Sequence, residues 1–295
     1  MSSTNENPSV AKNVINWYPG HMAKTRREVK EKLDLIDIVY EVIDSRMPIS
    51  SKIVDIDDLI KDKPRILIAT KYDLCDKNET DKILDNYRKN GYSVIPVDLM
   101  SGKNVNMIIN KSLELLDDMN KRREQKGLQK RRIRAILLGI PNAGKSTLIN
   151  RLVGRKATNV GDRPGVTKNL SWIRINKDID LLDSPGILWP KLENQYQASI
   201  LATLSSIKEE IVNNQDLALF IIDIMKKLYP DRLTERYKLA SVDLSNIEEI
   251  LDNIAKKRGA LMKGGITDYE KVYGIIIKDM KDNAFGCVTL DRMGD

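Results

Sequence analysis

The feature that most constrains the fold of this chain is a glycine-rich motif near its middle. Residues 139–146 read Gly-Ile-Pro-Asn-Ala-Gly-Lys-Ser and match G-x-x-x-x-G-K-[ST] without a departure. An apolar run, residues 133–138, precedes the motif, and a helix-compatible stretch, residues 147–153, follows it. Glycines let backbone N–H groups curl around an anion, and a helix N-terminus adds positive potential. The motif predicts a strand–loop–helix unit that binds phosphate groups, with Lys145 at the phosphate oxygens and Ser146 on a magnesium ion.

Two segments after this loop carry groups for a magnesium ion and a γ-phosphate. Asp183 ends an apolar run 38 residues after Lys145, and Gly186 completes the pattern D-x-x-G. The carboxylate of Asp183 can hold the Mg²⁺ shell, and the N–H of Gly186 can meet the γ-phosphate. Thr167 lies between the two motifs in a loop-forming stretch, residues 161–167. Its hydroxyl is expected to complete the Mg²⁺ shell only when the γ-phosphate is present.

A further segment carries groups suited to reading a guanine base. Residues 70–73, Thr-Lys-Tyr-Asp, follow an apolar run and are similar to the N-K-x-D base-recognition motif of GTPases. A carboxylate only accepts hydrogen bonds, so Asp73 can take two from guanine N1–H and N2–H₂, which adenine does not offer there. Thr70 replaces the usual Asn, and Asp98 and Leu99 replace Ser and Ala of an S-A-K-like base-cradling loop. These departures bear on the affinity for guanine more than on hydrolysis.

The order of these segments is the reverse of the order in ordinary GTPases. The base-reading segments, residues 70–73 and 98–102, precede the phosphate loop, whereas ordinary GTPases place them after it. A fold can be cut and rejoined at exposed loops without losing its packing, so the site can still assemble. Because of the reversed order, the segment 183–186 is followed directly in sequence by the C-terminal part of the chain. Loops that respond to the γ-phosphate are therefore expected to reorient that part.

The remaining pattern predicts an α/β domain followed by a small all-helical domain. Short β-rich runs occupy residues 37–44, 65–69, 92–97, 133–139, 172–175 and 179–182, and helix-compatible segments occupy residues 22–35, 79–90, 104–126 and 146–152. This alternation is typical of a doubly wound, mostly parallel sheet. After about residue 195 only helical stripes remain, and they are most simply core. The predicted boundaries are a flexible N-terminus at 1–13, a GTPase domain at 14–195 and a helical domain at 196–295.

The net charge and composition of the chain indicate which partners and which cellular compartment to expect. The chain has 49 Lys and Arg against 42 Asp and Glu, a formal net charge of +7. Eight basic residues and one acid fall between Lys121 and Arg134, which is either a solvated helix end or a contact with RNA phosphates. No apolar run approaches the ~20 residues of a membrane span, and we expect no membrane partner. The two cysteines allow neither a disulfide framework nor a four-ligand zinc site, and we expect a cytoplasmic protein.

With these motifs in view, the chain resembles the circularly permuted GTPases that act in ribosome assembly. The likeness runs from about residue 14 to the C-terminus and is most specific at W-Y-P-G-H-M-A-K (17–24), D-S-R-M-P (44–48), the phosphate loop, G-D-R-P-G-V-T (161–167) and D-S-P-G-I-L-W-P (183–190). The resemblance implies GTP hydrolysis coupled to late assembly of the large (50S) ribosomal subunit. It also implies that the helical domain contacts ribosomal RNA, that ribosomal proteins are partners, and that the chain is a monomer away from the ribosome.

The chain lacks the residue with which many GTPases orient the attacking water molecule. Many GTPases place a Gln after D-x-x-G to orient the attacking water, but this position is Ile187. Hydrolysis by the isolated protein is therefore expected to be slow. The resemblance implies that His21, the only histidine, is catalytic, although it could instead bind RNA or pack a loop. Asn142 could ligate a potassium ion that supplies positive charge near the transferred phosphate, or could simply stabilise its loop.

The predicted site is thus a GTP/GDP pocket with Mg²⁺ and a candidate K⁺ at Asn142. Residues expected to bind GTP are Thr70, Lys71, Asp73, Asp98, Asn142, Ala143, Gly144, Lys145, Ser146, Thr147 and Gly186. Residues expected in catalysis are His21, Lys145, Thr167 and Gly186, and those expected to hold Mg²⁺ are Ser146, Thr167 and Asp183. Three alternatives remain: an RNA-binding module that GTP only toggles, in small-subunit assembly or other RNA processing; a small-subunit permuted GTPase with a zinc-binding tail; and an ATPase, which Asp73 disfavours.

Overall fold

The computed structural model describes residues 15, 18–128, 131–156, 170–188, 192, 194–239 and 244–294. The chain divides into two compact units. The sheet unit spans Tyr18–Lys191 and takes up the chain again from Asp291, and the helical unit spans Leu192–Leu290 and includes Ile15. Within the described ranges, none of the helices is both long and apolar enough to cross a membrane.

The sheet unit is built on a mostly parallel sheet, as the sequence predicts. Its six described strands are β1 (Ile38–Asp44), β2 (Arg65–Thr70), β3 (Ser93–Pro96), β4 (Ile133–Gly139), β5 (Ser171–Arg174) and β6 (Ile179–Asp183). The order across the sheet is β3-β2-β1-β4-β6-β5, and of these six strands β5 alone runs antiparallel to its neighbour. All seven residues of β1 are buried, as expected for a parallel strand covered on both faces.

The helices of the sheet unit match most of the predicted segments. They are α1 (Gly20–Lys32), α2 (Ile56–Ile60), α3 (Lys77–Lys89), α4 (Val105–Leu115), α5 (Asp117–Gln125) and α6 (Lys145–Val153). The helix-compatible segment 104–126 forms two helices, because the chain leaves helical geometry at Leu116, with φ −108° and ψ 8°. Asp117 and Asp118 fall in the first turn of the next helix, where carboxylates are favoured. The five-residue α2 is too short to show a period in sequence.

The strand order creates one crevice for a ligand. From β1 the chain continues to its neighbour β2 on one side, and from β4 it continues to β5 and then β6 on the other. β1 and β4 are adjacent and parallel, with Val42 opposite Gly139. Ligands of open α/β sheets bind outside the carboxyl ends of the strands at such a switch point. The last residues of β1, β2, β4 and β6 therefore converge there.

The helical unit contains five described α-helices around an apolar core. They are α7 (Gln195–Thr203), α8 (Asn214–Leu228), α9 (Pro230–Tyr237), α10 (Ile247–Arg258) and α11 (Tyr269–Lys281). Two apolar stripes are predicted as core. Their residues Leu217, Phe220, Ile221 and Ile224 on α8 and Ile250, Leu251 and Ile254 on α10 are buried, whereas Leu228 and Ile247 are half-buried.

The chain ends in the sheet unit, which differs from the predicted domain boundaries. The prediction placed residues 196–295 in the helical domain, but the chain rejoins the sheet unit from Asp291 onward. The physical reason is that the buried carboxylate of Asp291 accepts hydrogen bonds from Ile49 N at 2.6 Å, Ser50 N at 2.9 Å and Ser50 Oγ at 2.6 Å. Sequence pattern does not show such a contact, because it joins residues more than 200 positions apart.

Candidate nucleotide-binding site

The glycine-rich loop turns between β4 and α6 in a backbone shape that its residues permit. Gly144 has φ +88° and Asn142 has φ +59°, and Asn is one of the few residues besides glycine that visit this region routinely. A Cβ at Gly139 would lie 2.6 Å from the carbonyl oxygen of Val42, so no other residue fits between β4 and β1. Ser146 and Thr147 lie in the first turn of α6. The loop thus aims the N-terminus of α6 into the crevice.

Lys145 is buried at the start of α6. Its Nζ donates to the carbonyl oxygens of Gly139 at 3.0 Å and Ile140 at 2.7 Å. Burial lowers the pKa of Lys145 to about 8, the negative charge of Asp183 opposes this shift, and the positive charge of Lys71 adds to it. The ammonium is held by neutral carbonyls and has no ion pair among the described residues closer than 4 Å. Such a group is suited to meet a polyanion.

Asp183 is the buried carboxylate on the other side of this lysine. Burial raises its pKa to about 6, while Lys145 and the Ser184 backbone N–H oppose the shift. Its Oδ1 has no hydrogen-bond partner among the described residues. An orphaned buried carboxylate oxygen needs a partner of some kind. It fits a hard divalent cation such as Mg²⁺, which prefers carboxylate and hydroxyl oxygens.

The segment after Asp183 packs directly on the phosphate loop. Ser184 Oγ donates to the carbonyl oxygen of Leu137 at 2.5 Å, and Ile187 N donates to that of Gly139 at 3.1 Å. A Cβ at Gly186 would lie 2.7 Å from both N and Cα of Pro141, so only glycine fits there. The side chain of Ile187 is fully buried. This position therefore presents no group that could orient a water molecule.

The base-side segment that follows β2 is bound to the same loop. Thr70 Oγ1 donates to the carbonyl oxygen of Ala143 at 2.6 Å, and Lys71 Nζ donates to that of Asn142 at 2.7 Å. Thr70 therefore braces the phosphate loop, although it stands where related motifs carry Asn. The segments from before and after residues 121–134 are therefore in direct contact despite their reversed order. The contact of Asp73 with the base stays a prediction.

A buried ion network fixes Lys71 in this position. The carboxylate of Asp44 accepts from Arg46 Nε at 3.0 Å, from an Arg46 terminal nitrogen at 2.8 Å and from Lys71 Nζ at 2.9 Å. Burial alone would raise the pKa of Asp44, but the charges of Arg46 and Lys71 outweigh it and hold the pKa well below its usual range. Asp44 and Arg46 belong to the D-S-R-M-P string, for which the sequence predicts no role.

The loop of residues 98–102, which is predicted to lie beside the base, is held by hydrogen bonds to its own Asp98. The carboxylate of Asp98 accepts from the N–H groups of Met100 at 2.8 Å and Ser101 at 3.1 Å, and from the Ser101 hydroxyl, and these bonds lower its pKa. Arg151 on α6 donates to the carbonyl oxygen of Leu99 at 2.8 Å, which ties this loop to the phosphate-binding helix. The expected contact of Asp98 with the nucleotide stays a prediction.

Of the predicted catalytic residues His21 and Thr167, the structure describes only His21. His21 is exposed in the first turn of α1, and its carbonyl oxygen accepts from Thr25 Oγ1 at 2.9 Å. Arg26 on the same helix forms an ion pair with Asp55. Thr167 and its loop lie outside the described residues.

Comparison with known proteins identifies the family. Ribosome biogenesis GTPase A of Bacillus licheniformis is 43% identical over 282 residues, which cover 96% of this chain and 99% of that protein. The protein of the same name from Priestia megaterium is 44% identical over 278 residues, covering 94% and 96%. The chain belongs to the ribosome biogenesis GTPase A family. A family model described as 50S ribosome-binding GTPase also matches residues 134–261.

Structural comparison agrees with membership of the ribosome biogenesis GTPase A family. GNP-bound YlqF from Thermotoga maritima has a TM-score of 0.64 and 25% identity, and the match covers 92% of this chain and 99% of that one. The GDP-bound form of that protein matches with the same TM-score and identity and covers 91% and 100%. Like other members of the ribosome biogenesis GTPase A family, the chain is a P-loop GTP hydrolase that uses a guanine nucleotide with Mg²⁺.

Proposed function

We propose that this chain is a GTPase that acts in the cytoplasm in late assembly of the large ribosomal subunit, hydrolysing GTP slowly alone and faster on the maturing particle. The proposal rests on Ile187, which is buried at the position where many GTPases place a water-orienting Gln. The family to which the chain belongs is named for ribosome biogenesis. A hydrolase without its own water-positioning group depends on a partner to complete the site. Hydrolysis is then coupled to the state of the particle.

Each group of the crevice has one task in this proposal. Asp73 accepts from the guanine edge, and Lys71 and Thr70 hold the base side against the phosphate loop. Lys145 neutralises the phosphate oxygens at the N-terminus of α6. Asp183 and Ser146 would hold Mg²⁺, joined by Thr167 when GTP is bound, and the ion would supply positive charge near the transferred phosphate. The Gly186 N–H meets the γ-phosphate. A potassium ion at Asn142 stays a prediction, since the left-handed backbone of that residue already favours Asn.

Turnover with and without particles tests the proposed function. Immature 50S particles are expected to raise the single-turnover rate of GTP hydrolysis at least tenfold over the isolated chain, and cosedimentation with them is expected to be stronger with a non-hydrolysable GTP analogue than with GDP. Nucleotide-dependent cosedimentation with an unchanged rate would instead indicate a binding module toggled by GTP. A preference for 30S over 50S particles would overturn the large-subunit assignment.

His21→Ala is expected to lower the particle-stimulated rate at least tenfold and to leave GTP affinity within about twofold. The expectation follows from the exposed position of His21 on α1, away from the base-side contacts, and from the ~10²–10⁴-fold effect of a positioned acid–base or water-orienting group. Stopped-flow hydrolysis on particles measures the rate, and fluorescent-nucleotide titration measures affinity. Glu31→Ala, exposed on the same helix, is the control. Equal rates for His21→Ala and the parent would remove His21 from the chemistry.

The helical unit has a basic cleft suited to RNA phosphates. A cleft of about 500 Å³ is lined by Arg236, Lys257, Arg258, Ile275, Lys278, Asp279 and Asp282. The buried Asp279 carboxylate accepts from Arg236 at 2.6 and 3.0 Å and from Arg258 at 3.3 Å, which orients both guanidinium groups. In the other basic block, residues 121–134, Arg131 is likewise held by an acid, Asp37. The oriented cations of the helical cleft support it as an RNA contact.

Reversing charges in this cleft is expected to lower the affinity for RNA and to make that affinity less dependent on salt concentration. The double variant Lys257→Glu, Lys278→Glu should reduce the slope of log affinity against log salt by ~2, because each phosphate contact contributes about one. Filter binding of ribosomal RNA fragments over a salt series measures the slope. Lys227→Glu, an exposed change on α8, is the control. A loss of slope for Arg122→Glu, Arg123→Glu and none for the cleft variant would move the contact to the other basic block.

A further inference from the structure

The last residues of the chain hold a buried loop that is part of the base side of the site. Residues 45–51 follow β1 as a loop whose side chains are mostly buried. A buried loop needs partners for its backbone N–H groups. The N–H groups of Ile49 and Ser50 find theirs in Asp291, whose carboxylate is 1% exposed. Arg292 adds a 3.6 Å ion pair with Glu79 on α3.

The loop held by Asp291 connects directly to the ion network beside the phosphate loop. Ser51 Oγ accepts from Asp44 N at 2.9 Å, one residue from Ser50. Asp44 in turn binds Arg46 and Lys71, and Lys71 reaches the phosphate loop at Asn142. The negative charge of Asp73 also acts on Arg46. A shift of Ser50 would therefore be transmitted through Asp44 to the segment that reads the base.

We propose that Asp291 is a positioning residue for guanine recognition, which holds the 45–51 loop so that Asp44, Arg46 and Lys71 keep Asp73 aimed at the base. The proposal rests on the guanine-reading role assigned to Asp73 above. It places a determinant of nucleotide specificity 218 positions along the chain from Asp73.

The affinities for GDP and IDP test this proposal, because hypoxanthine lacks the exocyclic amino group that Asp73 would bind. In the parent, GDP is expected to bind at least ~10-fold more tightly than IDP, the value of one hydrogen bond to a charged group. Asp291→Ala, which removes the acceptor for Ile49 N and Ser50 N, and a chain ending at Leu290 are expected to weaken GDP binding about tenfold and IDP binding only about twofold. A chain ending at Arg292 keeps Asp291 and is the matched control, expected to behave as the parent.

The outcomes separate the proposal from its premise. A parent that does not distinguish GDP from IDP would overturn the role of Asp73 and with it this inference. A parent that does distinguish them, together with an unchanged GDP/IDP ratio in folded Asp291→Ala, would overturn the role of Asp291 alone. Circular dichroism at the binding temperature reports folding of each variant. If the chain ending at Leu290 does not fold, Asp291→Ala, which keeps residues 292–295, decides the matter.

Discussion

Asp73→Asn is expected to change the preferred base of this GTPase from guanine to xanthine. The carboxylate accepts from N1–H and N2–H₂ of guanine, and an amide presents only one acceptor in its place. The variant should therefore lose GDP affinity by ~10³-fold, within the range of sites that lose a required hydrogen-bond partner. Xanthine carries a carbonyl oxygen at C2, which can accept from the Asn amide, so XDP affinity should rise. Competition titration with GDP and XDP measures both changes.

The control for this switch is the same substitution three residues further on. Asp76 is the N-cap of α3, with its side chain accepting from Asn78 N, and Asn caps a helix about as well as Asp. Asp76→Asn should leave both affinities at the parent values. If Asp73→Asn binds GDP as the parent does, residues 70–73 do not read the base and the site assignment fails on its base side.

Asp44→Asn is expected to cause the largest loss of stability among single changes near the site. The Asp44 carboxylate is fully buried and pairs with two cations, Arg46 and Lys71. Removing it leaves two buried or half-buried cations without their counter-ion, which costs ~3–5 kcal/mol in the free energy of unfolding. The melting temperature should fall by roughly 10 °C at pH 7, given ~2–4 °C per kcal/mol for a domain of this size. Calorimetry measures this directly.

The pH dependence of this loss has a definite sign. The folded pKa of Asp44 lies below its unfolded value, so the stabilisation is fully present above about pH 4 and is lost as the pH falls below that value. The difference in melting temperature between parent and Asp44→Asn should therefore be largest near neutral pH and should shrink toward pH 3. Asp57→Asn removes a more exposed pair with Arg65 and should cost less than ~1 kcal/mol. A difference that grows on acidification would contradict the account of the buried network.

Local patterns predicted much of this molecule because the chemistry they describe is local. The phosphate loop needs Gly139, Gly144 and Lys145 at fixed spacing, and the six strands are short apolar runs that need burial. The break at Leu116 escaped prediction because helix propensity continues on both sides of it. The two helical stripes were found because they recur at helical spacing over several turns.

Long-range contacts could not be read from the sequence in the same way. Thr70 looked like a departure from a base-reading motif, yet its hydroxyl braces Ala143, 73 residues away. That contact depends on β1 lying between β2 and β4, which spacing along the chain does not reveal. The hold of Asp291 on Ser50 joins residues 241 positions apart. For this reason residues 291–295, which the sequence predicts in the helical domain, belong to the sheet unit.

The central claim is that segments from before and after residues 121–134 bind one guanine nucleotide together. A crystal structure of the chain with GDP and Mg²⁺ tests it most directly. The account predicts one nucleotide whose N1 and N2 lie ~3 Å from the carboxylate of Asp73 and whose β-phosphate lies at a similar distance from Lys145 Nζ. A nucleotide held by Lys145 with its base turned away from residues 70–73 would contradict the claim.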